Sequence, residues 1–129
     1  MGKLLSERGV KPDVLISSPA DRALTTARFM AREMKYRAAD IVISESLYMG
    51  TLEDMLDLVQ RSDGAHRTVM VVSHNPAITL FSNFLSGDNI EKIPTCGIVF
   101  LEFDTNDWKD IDRGSGRVKF YEYPKKHFR

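Results

Sequence analysis

Two stretches of the sequence place a cationic side chain where a short apolar run gives way to a helix signal. They are Ile16-Ser17-Ser18-Pro19-Ala20-Asp21-Arg22 and Val72-Ser73-His74-Asn75-Pro76. In an open α/β sheet the carboxyl ends of the strands form the ligand crevice. Helix N-termini there offer unpaired backbone N–H groups and the positive end of a dipole. A cation in a helix's first turn costs roughly a few tenths of a kcal/mol, and an anion bound beside it reverses that sign. Arg22 and His74 together therefore predict an anion site. Phosphate fits best, because a guanidinium offers a bidentate fork.

Each residue also has an ordinary reading. Arg22 alone is more often a surface residue or an ion-pair partner of Asp21 or Glu45. His74 alone reads as a histidine satisfied near a helix cap. Ser17 and Ser18 lack the Gly-x-Ser-x-Gly elbow of a nucleophile. Ser18 is expected to cap a helix with Pro19 at its first position and Asp21 two residues on. Ser17, Glu45 and Asn75 are candidate pocket residues beside the cations, Glu45 for proton transfer or pocket shaping.

The elements that must position these residues follow from periodicity. Met1 to Arg8 reads as the end of a helix closed by Gly9. Val14-Leu15-Ile16 is a buried-strand run. The next helix, to about residue 36, carries the stripe Leu24, Ala27, Met30, Ala31 and Met34. Ile41-Val42-Ile43 is a second short strand. Thr51 with Asp54 reads as a capping box for a helix with the stripe Leu52, Met55, Leu56 and Val59. Val69-Met70-Val71-Val72 is apolar throughout, as in a strand buried on both faces. Asn75-Pro76 opens a helix ending near Gly87. Ile98 to Phe103 and Arg117 to Tyr123 pair as a hairpin across a polar loop. Trp108, in that loop, carries no functional signal. Alternating strands and helices followed by paired strands predict an α/β domain with a mostly parallel sheet.

Composition narrows the classes. The chain has 129 residues, 43% hydrophobic and 28% charged, which suits one domain. A formal net charge of zero argues against nucleic-acid or membrane partners reached by bulk electrostatics. Cys96 is the only cysteine, so no internal disulfide forms; it reads as a small buried hydrophobe in a reducing, cytoplasmic setting. The three histidines show no metal-ligand spacing, and no cofactor is expected.

The segment Leu15-Ile16-Ser17-Ser18-Pro19-Ala20-Asp21-Arg22-Ala23-Leu24-Thr25-Thr26-Ala27 resembles the second conserved block of the histidine phosphatase (phosphoglycerate mutase-like) superfamily. Val71-Val72-Ser73-His74-Asn75-Pro76 resembles its late block, in the His-Asn-Pro form of SixA-type phosphohistidine phosphatases. Glu45-Ser46-Leu47-Tyr48 fits the intervening element, and Tyr121-x-Tyr123-Pro124-Lys125 the usual last strand. The resemblance implies a three-layer α/β/α fold and a metal-free phosphatase. Arg22 would bind phosphoryl oxygens, and His74 would stabilise charge on the transferring group. A histidine nucleophile would form a phosphohistidine that water then hydrolyses.

The family's first motif, Arg-His at the end of a first central strand, is absent. His66 lies before a strand, at the wrong end of the sheet, and His127 lies in the tail; both read as solvated surface histidines. The expectation is a single domain over residues 1–129, N-terminally incomplete, with the nucleophile upstream of Met1 and the chain itself inactive. The alternative is a catalytically inactive phosphate-recognition or protein-interaction module. A missing central strand would expose two strand edges and favour a homodimer. The short Arg22–His74 interval leaves little to build a lid, so an open, shallow pocket for a phosphoprotein, including phosphohistidine, or a small phosphate ester is expected.

Overall fold

A computed structural model describes residues 2–48 and 50–124; Lys125 and His127 lie outside the described residues. The elements run in the order α1 (Gly2–Glu7), β1 (Val14–Ser17), α2 (Asp21–Glu33), β2 (Val42–Ile43), α3 (Leu52–Gln60), β3 (Val69–Val72), α4 (Ala77–Ser86), β4 (Ile98–Phe103) and β5 (Gly116–Glu122).

The strands form two sheets. β1 lies between β2 and β3, parallel to both, with Leu15 opposite Met70 and Ser17 opposite Val72. β4 and β5 pair antiparallel, with a register shift at Phe100/Leu101. Strand alternation sends successive side chains to opposite faces, and two apolar cores result. On one face Leu15 and Val72 pack with Leu5 of α1 and Ala27, Met30 and Ala31 of α2, and Ile98 and Phe120 join them. On the other, Ile16 packs with Met55 and Val59 of α3 and Phe81 and Leu85 of α4, joined by Val69, Val71, Leu101 and Phe103. Strands of both sheets thus contribute to both cores. This is the α/β/α layering that the sequence predicts, with the strand layer divided in two.

Helices and loops bridge the two sheets. The Arg8 guanidinium, just after α1, lies 3.0 Å from Glu122 Oε1 and 4.5 Å from the centroid of the Phe120 ring, both on β5. On the opposite face Trp108 Nε1 donates to the His66 carbonyl at 2.7 Å, and Gln60 Nε2 to the Ile111 carbonyl at 2.8 Å.

Local chemistry explains most element ends. Gly9 and Gly87, at φ of 76° and 79°, close α1 and α4 in a left-handed conformation that glycine adopts without strain. Thr51 and Asp54 form the expected capping box, with Asp54 N donating to Thr51 Oγ1 and Thr51 N to Asp54 Oδ2. At α2 the structure departs from expectation. The helix starts at Asp21, with Ala20 as the residue before it and no side-chain cap. Ser18 instead closes a tight turn, accepting from Ala20 N at 3.2 Å. α2 also stops at Glu33, short of Tyr36, and Ala23 rather than Leu24 belongs to its buried stripe.

Two further expectations are corrected. Cys96 is exposed, because it sits in the turn entering β4 with φ of 61° rather than inside an apolar layer. His66 is half-buried, because Trp108 is bonded against its backbone. The short strand expected over 41–43 forms as β2, with Val42 and Ile43 half exposed on an outer edge. Among the described residues no helix is long and apolar enough to cross a membrane.

Candidate anion site at the strand ends

β1 and β3 run parallel, so their carboxyl ends lie side by side and their following turns meet. Ser18 follows β1 directly and donates its backbone N–H to the Val72 carbonyl at 2.9 Å, tying the two turns together. Beyond that tie, Ser18 Oγ lies 3.3 Å from His74 Nε2, and the direction of that bond follows the imidazole tautomer. Ser18 itself is fully buried, whereas His74 is exposed. A fixed hydroxyl thus holds one edge of a ring whose other parts remain open to solvent. Tyr48, about half exposed, meets the His74 ring edge-on, with centroids 6.4 Å apart.

Arg22 occupies the second position of α2. It is exposed and makes no ion pair with Asp21 or Glu45 among the described residues. Arg22 and His74 line the same groove, about 1320 Å³ in volume. The structure therefore sets on one groove the two residues that the sequence singled out. The groove is much larger than the shallow pocket expected, because it continues between the two sheets. Asp21, next to Arg22 in the sequence, also lines it.

The other candidates divide. Asn75 lines the groove, but its amide is engaged: Nδ2 donates to the Ile93 carbonyl at 2.8 Å, and Oδ1 accepts from Thr79 Oγ1. Thr79 Oγ1 in turn accepts from Ile93 N at 3.0 Å. Asn75 thus pins the 93–97 segment against α4. Ser17 is fully buried, with Oγ donating to the Ser18 carbonyl at 2.9 Å, and does not line the groove. Glu45 is exposed at the start of a short 3-10 turn and does not line it either.

Reading the sequence missed the Ser18–His74 contact. The available signal was Pro19, since the residue before a proline is held extended, which lets the Ser18 hydroxyl point away from the helix. Among the described residues no group of side chains could hold a metal ion.

No protein-family model and no curated protein matches the sequence. Solved structures do. SixA of Agrobacterium tumefaciens, a candidate phosphohistidine phosphatase, superposes with a TM-score of 0.78 at 23% identity, covering 95% of this chain and 75% of the other. SixA of Nakamurella multipartitia gives 0.77 at 20% identity, covering 95% and 79%. The protein histidine phosphatase SixA complexed with tungstate gives 0.81 at 18% identity, covering 97% and 77%. The chain has the fold of these proteins, which is phosphoglycerate mutase-like; at such identities the likeness is one of fold.

Proposed function

We propose that the protein is a phosphatase acting on phosphohistidine or other phosphoprotein and phosphomonoester groups. The observation that carries this reading is the joint placement of Arg22 and His74 on one groove at the carboxyl ends of β1 and β3, with His74 anchored by Ser18. A guanidinium fork and an imidazole at two helix starts suit the oxygens of a tetrahedral anion. The fold shared with SixA proteins supports the same reading, and one of those structures holds tungstate, a tetrahedral oxyanion.

In this mechanism a histidine nitrogen attacks phosphorus. The P–N or P–O bond to the leaving group breaks, the leaving group takes a proton, and water then hydrolyses the phosphohistidine. Arg22 binds the equatorial oxygens and His74 offsets their growing charge. The described histidines are His66, before the amino end of β3, and His74, so neither is assigned as the attacking nitrogen in this reading. Glu45, placed off the groove, supplies no step.

The test is hydrolysis of a phosphohistidine-bearing phosphotransfer protein by the protein and by its His74→Ala variant. Turnover should fall by about 10²- to 10³-fold on that substitution. Activity untouched by His74→Ala rejects the assignment.

A further inference from the structure

A second cavity, about 480 Å³ in volume, is bounded by α3 and by the β1–β2 side of the sheet. Val14, Ile16, Val42 and Leu58 form its apolar wall, and Asp54, Asp57, Arg61 and Asp63 bring charge to it. It shares only His66 with the groove at Arg22 and His74. Arg61 is paired with Asp57, so these side chains leave a net negative charge. Each carboxylate is held through one oxygen. Asp54 Oδ2 accepts from Thr51 N at 3.0 Å, Asp57 Oδ2 from Arg61, and Asp63 Oδ1 from Ala65 N at 2.8 Å. The other oxygen of each accepts no hydrogen bond among the described residues. Together they do not form a group that could hold one metal ion. They suit a cation whose donors are spread over a plane, as in a guanidinium.

Two further atoms on the lining residues call for an occupant. Ser62 Oγ and His66 Nδ1 are shielded from solvent and lack a hydrogen-bond partner among the described residues. Buried polar atoms are normally partnered, and an N–H donor suits both. The surface beside the cavity is apolar. Val42 and Ile43 are 46% and 51% exposed on the outer edge of β2, and Tyr48, in the turn that follows, is 49% exposed. Val42 belongs to both the strip and the cavity wall, so the two are continuous. A long cationic side chain lays its stem on apolar surface and keeps its head among polar groups. A free guanidine would fill the cavity and leave the strip uncovered. Apolar surface rimmed by polar groups marks a protein contact, where arginine is enriched.

We propose that this cavity takes an arginine side chain of a partner protein, whose neighbouring apolar residues cover Val42, Ile43 and Tyr48. The guanidinium lies among Asp54, Asp57 and Asp63, and the stem lies on Val42 and Leu58. The site is separate from the anion groove and does not rest on the phosphatase reading.

The test titrates isotope-labelled protein with a short capped peptide of valine and leucine around one arginine. Binding is followed by NMR at the Val42, Ile43 and Leu58 methyl groups. The controls are the same peptide with neutral citrulline in place of arginine, and butylguanidine alone. The three methyl signals should shift along one saturation curve with the arginine peptide, and each control should bind at least about tenfold more weakly. Asp57→Asn combined with Asp63→Asn should weaken the arginine peptide by about three- to tenfold and leave tungstate binding at the anion groove unchanged. Ile43→Ser, on the exposed strip, should weaken the peptide but not butylguanidine. Absence of shifts at Val42 and Leu58, or equal binding of the citrulline peptide, overturns the proposal. Equal binding of butylguanidine also overturns it, because a small free cation would then be the occupant.

Discussion

Ser18 and His74, 56 residues apart in the sequence, meet at 3.3 Å between Oγ and Nε2, and this contact sets the orientation of the candidate site's imidazole. The hydroxyl is itself held, because it also accepts from Ala20 N at 3.2 Å. Ser18→Ala should leave the fold intact and release the ring. A neutral hydrogen bond contributes about 0.5–1.5 kcal/mol, so tungstate affinity should weaken by about two- to tenfold. Isothermal titration of tungstate checks this, and unchanged affinity would mean that the ring is held by other contacts.

The two opposite charges that open α2, Asp21 and Arg22, make a second prediction with opposite signs. Arg22→Lys keeps the charge but loses the planar fork, and tungstate affinity should fall roughly tenfold. Asp21→Asn removes a carboxylate lining the same groove, and affinity should rise by about two- to fivefold, a first-turn charge effect of about 0.3–1 kcal/mol. Both effects should shrink as ionic strength rises. Equal affinity in all three proteins would place the anion elsewhere.

Asp13 makes stability depend on acid pH. Its carboxylate accepts backbone N–H bonds from Thr68 at 2.9 Å and Arg67 at 2.8 Å, and these hold its pKa below the ordinary 3.8. A carboxyl whose folded value is depressed stabilises the protein above its unfolded value, and that contribution is lost as pH falls through the folded value. The wild type should therefore lose stability relative to Asp13→Asn below about pH 4. Thermal melts of the two proteins from neutral pH to pH 2.5 check it; parallel curves would contradict it.

The capping box at α3 gives a purely structural control. Thr51→Ala removes an acceptor for Asp54 N and should cost about 1 kcal/mol in urea unfolding. Tungstate affinity should stay as it is, because Thr51 does not line the groove.

The sequence made local order legible wherever one pattern dominated. Val69–Val72 could only be a strand, though of its four residues Val72 alone is buried rather than all, Thr51 with Asp54 only a cap, and Gly87 only a helix end. Arg22 and His74 were legible because each stood at the same strand-to-helix junction, and parallel pairing of β1 with β3 brings those junctions together. What stayed hidden depended on neighbours distant in sequence. Ser18 serves equally well as a cap or as a ring anchor until Pro19 and Val72 fix its position. Cys96 reads as a core residue until the turn entering β4 is seen to hold it at positive φ. Asn75 is a plausible ligand until Ile93 and Thr79 engage both ends of its amide.

The most direct measurement is a tungstate titration of isotope-labelled chain, following the His74 ring and the Arg22 guanidinium together by NMR. The account predicts that both signals shift along one saturation curve, and that His74→Ala weakens the response at Arg22. Shifts at neither group, or two curves with unrelated midpoints, would contradict a shared anion site.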